Sequence, residues 1–333
     1  MQKPLNRAIA TLVGILAAGL LVTAADALPS WAYGFESAAG ASSTRTAPPA
    51  PPVRDDGTSR RLAGSNLAFT LTQIRDAFGP ADWYPDDHSP MPDIVARGRR
   101  PEARACALCH YPNGKGRPEN AGIAGLPYAY FVQTMADFKA DARKSADSRK
   151  ANTNVMITIA KALTDAEVKT AAEYFSSMKW TPWIRIVEAD TVPTTRIAGG
   201  MFLRLEGHDI EPIGERIIET PEDTERTEVL RDPRSGFIAY VPPGSIKKGE
   251  MLVTTGGGGR TIQCGVCHGA DLAGLGPVPG IAGRSPSYTV RQLSDMQRGT
   301  RTGVWSDLMK PVVAKLSNQD LVAIAAYVAS RVQ

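Results

Sequence analysis

Two short segments of the chain carry the residue types that attach an iron cofactor. Residues 106–110 and residues 264–268 both read Cys-X-X-Cys-His, and they contain all four cysteines of the 333-residue chain. In this pattern each cysteine sulfur can form a thioether with a haem vinyl group, and the adjacent histidine becomes an axial ligand of the iron. The sequence therefore predicts two covalently bound haem c groups. The predicted attachment cysteines are Cys106, Cys109, Cys264 and Cys267, and the predicted iron ligands are His110 and His268.

Three other kinds of site use paired cysteines. A thioredoxin-like redox pair does not need the following histidine and lies in a βαβ pattern, which this sequence lacks. One zinc ion shared by both pairs would need a far shorter spacing than the one between Cys109 and Cys264. Structural disulfides, the third alternative, occur in exported proteins. The complete double motif favours haem over all three.

The chain contains an internal repeat that places each motif in the same sequence context. Residues 122–125 and 280–283 both read Gly-Ile-Ala-Gly, and they follow their motif histidines at the same distance. Such self-similarity at a fixed spacing indicates two copies of one structural unit.

The end of each copy has the pattern of a capped helix. Residues 164–167 and 317–320 each place a hydroxyl residue three positions before an acid, which is a helix N-terminus signature. Apolar residues then follow with the i, i+3, i+4, i+7 spacing of one buried helical face. These residues are Val168, Ala171, Ala172 and Phe175 in the first copy, and Leu321, Ile324, Ala325 and Val328 in the second.

Each predicted haem iron needs a sixth ligand. Met156 and Met309 are our candidates, because they precede the last helix of each copy at equivalent positions. A thioether is a soft, neutral ligand that favours ferrous iron. Met135 and Met296 are the alternatives, although their middle helical segments suit packing against the haem face. The last helix should therefore follow a methionine loop in both copies.

A ligand histidine is normally oriented by a hydrogen bond from its second ring nitrogen to a loop carbonyl. Pro279, directly before the second Gly-Ile-Ala-Gly, is well placed to supply this carbonyl, and its equivalent in the first copy is Ala121. His88 and His208 lie outside both copies. Either could replace a methionine on iron, but a surface or locally hydrogen-bonded histidine is the expectation for both.

The first residues have the features of an export signal. Lys3 and Arg7 precede an apolar stretch that runs to Ala25, and residues 25–27 offer a small-X-small cleavage site. The protein is therefore expected in the periplasm, and on the membrane only if this segment is retained. The predicted parts are a signal peptide (1–27), a Pro/Ala-rich disordered linker (28–65), a first haem domain (66–180), a connector with short β segments (181–245) and a second haem domain (246–333).

The formal charge of +4 at pH 7 is small and would be offset by four haem propionates. This balance gives no reason to expect a nucleic-acid partner or strong binding to a membrane surface.

Taken together, these motifs resemble those of the class I cytochromes c, and the tandem arrangement is similar to dihaem cytochromes of the cytochrome c4 type. The resemblance covers about residues 93–177 and 246–330. It implies a mainly α fold with two tandem class I cytochrome c domains, and it pairs His110 with Met156 and His268 with Met309. The long, partly β connector departs from that pattern, so the close packing of the two domains is left open.

The predicted function is electron transfer between redox proteins in the periplasm, without catalysis by the chain itself. A periplasmic dehydrogenase or a terminal oxidase would be the partner, and the chain is either a free carrier or the electron-accepting subunit of such a dehydrogenase. The alternative is a dihaem peroxidase, which would need an open iron and an acid–base group such as His88 or His208 with Asp87.

Overall fold

The computed structural model describes residues 27–35, 54–207 and 209–332. The proposed signal peptide up to Asp26, the proline-rich centre of the linker and His208 lie outside these residues. Within the described ranges, no helix combines the length and the apolar character needed to cross a membrane.

The fold is mainly helical, with two helical units on either side of a region of short strands. The first unit contains α1 (Leu71–Ile74), α2 (Asp93–Ala96), α3 (Cys106–His110), α4 (Tyr128–Lys139), α5 (Ala151–Ala162) and α6 (Asp165–Ser176). The second contains α7 (Ser245–Thr255), α8 (Gly265–His268), α9 (Pro286–Gln297), α10 (Lys310–Val313) and α11 (Asn318–Ser330). Single turns of 3-10 helix lie at Ser30–Tyr33, Pro85–Asp87 and Ser306–Met309, and a π-helical turn lies at Glu225–Val229.

Seven short strands lie between α6 and α7. They are β1 (Ile184–Glu188), β2 (Thr191–Pro193), β3 (Thr195–Ala198), β4 (Met201–Arg204), β5 (Ile210–Pro212), β6 (Ile218–Pro221) and β7 (Phe237–Val241). β7 is the centre of a three-stranded sheet, parallel to β1 and antiparallel to β6. β2 pairs with β5, and β3 pairs with β4. Two further strands, β8 (Gly274–Leu275) and β9 (Val278–Pro279), form a small hairpin inside the second unit.

Both predicted capping boxes are present. In α6 the Glu167 N–H donates to Thr164 Oγ1 at 3.2 Å, while the Thr164 N–H donates to the Glu167 carboxylate at 2.8 Å. In α11, Ser317 and Asp320 exchange the same two bonds. Each box satisfies N–H groups that have no partner inside the helix, so it fixes where the helix begins.

The predicted apolar face of α11 is fully buried, and α7 packs across it. Gly249 makes this crossing possible, because a Cβ at this position would overlap the backbone carbonyl of Ala323. Asp320 is buried at the same contact and is bound by Lys248 at 2.9 Å and by Arg260 at 3.0 Å. The first and last helices of the second unit are therefore joined by both close packing and charge.

The methionine loop predicted for both copies is present in the second copy and absent from the first. Met309 ends a 3-10 turn, and α10 begins directly after it. Met156 lies inside the regular helix α5. Residues 151–162 contain neither Gly nor Pro, so nothing interrupts the helix there, whereas Gly303 and Pro311 flank Met309.

The prediction of a disordered linker over residues 28–65 is wrong for its two ends. Trp31 and Tyr33 are buried against the second unit, and the Tyr33 hydroxyl donates to Asp295 Oδ1 at 2.8 Å. At the other end, Leu62 is buried with Trp83 in a separate apolar cluster. Large apolar side chains supply enough burial to order both ends, which composition alone did not reveal.

Candidate functional site

Each Cys-X-X-Cys-His motif forms a single helical turn, α3 in the first unit and α8 in the second. Residues three apart lie on one side of a helix, so the two sulfurs of a motif share a face. Both turns end at a residue with positive φ, Tyr111 at +62° and Gly269 at +84°. This conformation ends the turn directly after the histidine.

No disulfide joins any of the four cysteines. Burial raises the pKa of Cys106 to about 12 and that of Cys264 to about 11. A thioredoxin-like pair needs the opposite shift, because its thiolate is the nucleophile. No group of three or more His, Cys, Asp and Glu side chains in the described part of the chain is arranged to hold a metal ion, which contradicts a shared zinc.

The motif histidines are held identically. His110 Nδ1 lies 2.8 Å from the carbonyl oxygen of Ala121, and His268 Nδ1 lies 2.8 Å from that of Pro279. The sequence predicted the carbonyl of Pro279, and the carbonyl of its repeat equivalent Ala121 takes the same role in the first unit. A carbonyl accepts only, so Nδ1 carries the proton and Nε2 keeps its lone pair for a metal. Burial lowers the pKa of both histidines, which favours the neutral, ligating form.

The Gly-Ile-Ala-Gly loops hold these carbonyls in place. The N–H of Ile123 donates to Gly114 O at 2.7 Å, and the N–H of Ile281 donates to Leu272 O at 2.8 Å. Gly114 and Leu272 follow the motifs at equivalent positions, and both have positive φ. The repeat seen in the sequence is therefore a repeat of backbone hydrogen bonds, with the same carbonyl presented to each histidine.

A buried arginine joins the two loops. Arg284 donates to the carbonyl of Gly280 at 2.7 Å in its own unit, and to those of Gly122 at 2.7 Å and Ala124 at 3.2 Å in the other. Its guanidinium also lies 4.3 Å from the ring centre of Trp180. Burial lowers the pKa of Arg284 to about 10, a value that still leaves it charged at neutral pH. Hence the two histidine-supporting loops meet at the contact between the units.

Two further arginines cross this contact at equivalent positions of the repeat. Arg143 donates to the Tyr288 hydroxyl at 2.8 Å, and its repeat equivalent Arg301 donates to the Tyr130 hydroxyl at 2.9 Å. The two arginines also form an isolated antiparallel bridge. Both are buried, and no described carboxylate forms a salt bridge with either. Burial raises the pKa of Tyr130, but Arg301 and Arg143 outweigh it and lower that pKa to about 7.

This cluster suits an anionic ligand. Guanidinium groups without a carboxylate partner form strong, directional bonds to carboxylates, and such bonds gain strength when buried. The four cysteines and the two Nε2 atoms are the attachment and ligand groups that two haem groups would need. Sequence reasoning missed these arginines and tyrosines. Arg143 and Arg301 are separated by the same number of residues as the two Gly-Ile-Ala-Gly loops, and so are Tyr130 and Tyr288. Arg284 breaks the repeat, since the first copy has Leu126 there.

All four candidate methionines lie at the apolar core of their own unit. Met156 and Met309 are partly buried against these cores, while Met135 and Met296 are buried within them, on α4 and α9. The choice of Met156 and Met309 as iron ligands stays a prediction from the repeat and the resemblance.

Two of the groups named for the peroxidase alternative, His88 and Asp87, are engaged elsewhere, and His208 lies outside the described residues. His88 Nε2 lies 3.2 Å from an Asp82 carboxylate oxygen, and its Nδ1 lies 2.9 Å from Ser89 O and 3.1 Å from the Tyr174 hydroxyl. Asp87 binds Arg234 with two contacts of 2.6 and 2.7 Å. Neither group is free to act on a bound peroxide.

Comparison with known proteins agrees with this geometry. The profile of the family described as cytochrome c matches residues 95–179. Cytochrome c-554(548) of Halomonas halodenitrificans is 38% identical over 69 residues, which cover 20% of this chain and 83% of that protein. Cytochrome c4 of Stutzerimonas stutzeri is 32% identical over 136 residues, 35% of this chain and 62% of the relative's length. The thiosulfate dehydrogenase electron acceptor of Thiomonas intermedia is 26% identical over 237 residues, 69% of this chain and 80% of that protein.

Proposed function

Because this chain belongs to the cytochrome c family, we propose that it is an exported electron carrier with two covalently bound haem c groups, one in each repeat. The observation that carries this proposal is the duplicated histidine site, in which Nδ1 of His110 and of His268 donates to a loop carbonyl at 2.8 Å. Two sites built alike suit the same one-electron chemistry twice.

Each unit contributes the same set of groups. The cysteines would attach the cofactor, the histidine would supply Nε2 to the iron, and Met156 or Met309 would supply a thioether ligand. When bound, haem provides a one-electron iron couple, and a methionine ligand raises its reduction potential by favouring the ferrous state. The protein binds and orients these groups and excludes water, so no substrate needs to reach the iron.

The arginines between the units have a role in the same scheme. Arg143 and Arg301 place two positive charges at the contact between the repeats, where they can neutralise buried propionates. Arg284 ties the loop behind His110 to the loop behind His268. Both features hold the two haem domains, residues 66–180 and 246–333, in one arrangement, which favours electron exchange between their cofactors.

The cellular setting and the partners belong to the same proposal. Residues 1–27 have the features of a cleavable signal peptide, and covalent haem attachment takes place outside the bacterial cytoplasm. The protein would thus work in the periplasm, between a donor and an acceptor that are themselves redox proteins. The relative described as a thiosulfate dehydrogenase electron acceptor supports a periplasmic dehydrogenase as the donor, with this chain as its carrier or its accepting subunit.

A redox titration of the purified protein tests the proposal. The account predicts that each chain takes up two electrons and that both haem spectra change reversibly without added substrate. The variant Cys264→Ala/Cys267→Ala is the matched control, and it should take up one electron while the first site titrates as before. A chain whose reduced haems rapidly pass two electrons to added hydrogen peroxide, which is reduced to water with two protons, would instead be an enzyme.

A further inference from the structure

The connector is bonded to the first unit just after the first attachment motif. The Asn113 side chain donates to Pro233 O at 2.9 Å. Further along the same loop, Arg117 is only 11% exposed and pairs with Glu228 at 3.2 Å. Residues 228–234 therefore lie against the first motif and keep water from it.

Arg231 is the residue of this segment that contacts the motif itself. Its guanidinium donates to the backbone carbonyl of Leu108, which lies between the two cysteines of the motif. It also lies 5.6 Å from the ring centre of Tyr111, the residue directly after the ligand histidine. A cation is thus held at the edge of the site to which the cofactor would be attached.

The backbone on both sides of Arg231 is anchored. The φ of Arg231 is +52°, a left-handed conformation that residues with a Cβ rarely adopt. The carbonyl of Leu230 accepts from the Trp83 indole N–H at 2.8 Å, and the Asp232 N–H donates to Arg226 O at 2.9 Å. These bonds maintain the strained conformation, and strain of this kind is often found at functional positions.

The positive charge of Arg231 has no carboxylate partner, since no described acid forms a salt bridge with it. The acids around it are bound by other arginines, Glu119 and Glu228 by Arg117 and Asp232 by Arg226. Burial and the nearby charge of Arg117 lower the pKa of Arg231, as expected for a cation without a partner. A guanidinium nevertheless stays protonated in proteins, so the charge next to the first motif persists.

The second motif has neither this cover nor this charge. The repeat equivalents of Tyr111, Asn113 and Arg117 are Gly269, Asp271 and Leu275. Within the described part of the chain, no connector residue and no cationic side chain bonds to residues 264–268. Cys267 is exposed, whereas its equivalent Cys109 is partly buried.

Both differences act on a haem iron in the same direction. Ferric haem carries one more positive charge than ferrous haem, so a fixed cation nearby disfavours the ferric state. Exclusion of water disfavours the ferric state as well, because it removes solvation from the more highly charged form. Each effect raises the reduction potential, and among the two motifs only the first has both.

We infer that Arg231 raises the reduction potential of the first haem above that of the second, so that a single electron on the chain resides mainly in the first unit. The inference rests on the proposed function. One electron leaves the ferrous iron of the second haem and reduces the ferric iron of the first, and no bond forms or breaks. The connector thereby gives electron transfer within the chain a direction.

The test is a spectroelectrochemical titration of the full chain with both haems. The variant Cys264→Ala/Cys267→Ala identifies the potential of the first haem, which should be reduced before the second in the wild type. Arg231→Met removes the charge and keeps most of the bulk. It should lower the equilibrium constant for electron transfer from the second haem to the first by about tenfold, a shift of about 59 mV. The potential of the second haem should stay unchanged.

Three further variants separate charge from structure. Arg231→Lys keeps the charge and should keep most of the wild-type potential. Glu228→Gln removes a negative charge and should raise the potential of the first haem, by less than Arg231→Met lowers it, because Glu228 is 34% exposed. Arg234→Met is the matched control in the same segment. Arg234 is exposed and paired with Asp87 at 2.6 Å, so both potentials should stay as in the wild type.

Hydrogen exchange of the amides of residues 228–234 adds a readout that needs no electron transfer. Exchange in Arg231→Met close to that of the wild type would show that the segment still covers the motif. If exchange is faster, the upward shift in Glu228→Gln decides.

The inference is overturned if Arg231→Met leaves the potential of the first haem unchanged, or if Arg231→Lys lowers it as far as Arg231→Met does. It is also overturned if the first haem of the wild type is reduced after the second. The number of electrons separates failure here from failure of the proposed function. A carrier with two haems takes up two electrons in the wild type and in every Arg231 variant, whatever the order of the potentials.

Discussion

His110 donates from Nδ1 to the carbonyl oxygen of Ala121 at 2.8 Å, although the equivalent position in the second unit is a proline. The bond from His268 to Pro279 has the same length. Orientation of the imidazole therefore depends on the position of a carbonyl, and the proline ring is not needed for it. The loop hydrogen bonds of the Gly-Ile-Ala-Gly segments place that carbonyl in both units.

Replacement of Pro279 tests whether the orientation of the His268 imidazole is independent of the proline ring. Pro279→Ala should leave the reduction potential of the second haem almost unchanged, because the carbonyl stays in place as it does at Ala121. It should lower the free energy of unfolding by about 0.4–1 kcal/mol, since the unfolded chain becomes less restricted. Potentiometry and denaturant unfolding measure the two effects. A shift in potential as large as that caused by Met309→Ala would show that the ring itself sets the histidine geometry.

The axial ligands can be assigned by four methionine variants. Met156→Ala and Met309→Ala should each remove about half of the near-infrared band typical of a thioether on ferric haem, and each should lower one potential because the ferrous state loses its stabilising ligand. Met135→Ala and Met296→Ala are the matched controls on α4 and α9, and should keep the whole band. Loss of the band in either control would reverse the assignment.

His88 is expected to support the fold rather than catalysis. Burial lowers its pKa, but the bonds to Asp82 and to the Ser89 carbonyl outweigh burial, so the pKa of His88 is raised above its usual 6.5. A raised pKa means that the folded state binds the proton more tightly than the unfolded state. The stability from this group is thus complete below pH ~6.5 and is lost as pH rises through the raised pKa.

His88→Gln should therefore destabilise the protein by about 1–3 kcal/mol at mildly acidic pH and by less in alkaline solution. Unfolding by denaturant at several pH values measures this difference. Peroxide turnover should be negligible in both proteins. Rapid turnover in the wild type that disappears in His88→Gln would establish the peroxidase alternative.

A buried carboxylate should make stability depend on pH in a second way. Glu219 on β6 accepts bonds from the Ser285 hydroxyl at 2.8 Å and the Ser287 N–H at 2.9 Å, at the start of α9. Burial raises the pKa of Glu219 to about 7, although these bonds and Arg291 oppose the shift. The pKa of this carboxyl is near 4.5 in the unfolded state, so between pH 4.5 and pH 7 it is ionised in the unfolded protein and still protonated in the folded one. The free energy of unfolding therefore falls as pH rises through this interval.

Glu219→Gln should remove this slope, because glutamine does not titrate. Across that interval the wild type should lose on the order of 2–3 kcal/mol more than the variant. The measurement is the difference between the two free energies of unfolding as a function of pH. Parallel curves for the two proteins would mean that Glu219 ionises normally in the folded state.

The sequence predicted the parts of the site that depend on local patterns. The motifs, the capping boxes of α6 and α11 and the carbonyl of Pro279 all follow from spacing along the chain. It missed features that depend on distant segments meeting in space. Arg231 lies far from Leu108 in sequence, and nothing near either residue predicts their contact. The order of residues 28–35 was missed for the same reason, since Tyr33 gains its partner Asp295 only in the folded protein.

The number of covalent haems tests the account most directly. Protease digestion of the denatured protein, followed by mass spectrometry, should yield one peptide that contains Cys106 and Cys109 and another that contains Cys264 and Cys267, each heavier by one haem. Intact mass should show two haems per chain. If either peptide carries free thiols or a disulfide in protein matured in its own periplasm, the central claim of two haem sites is contradicted.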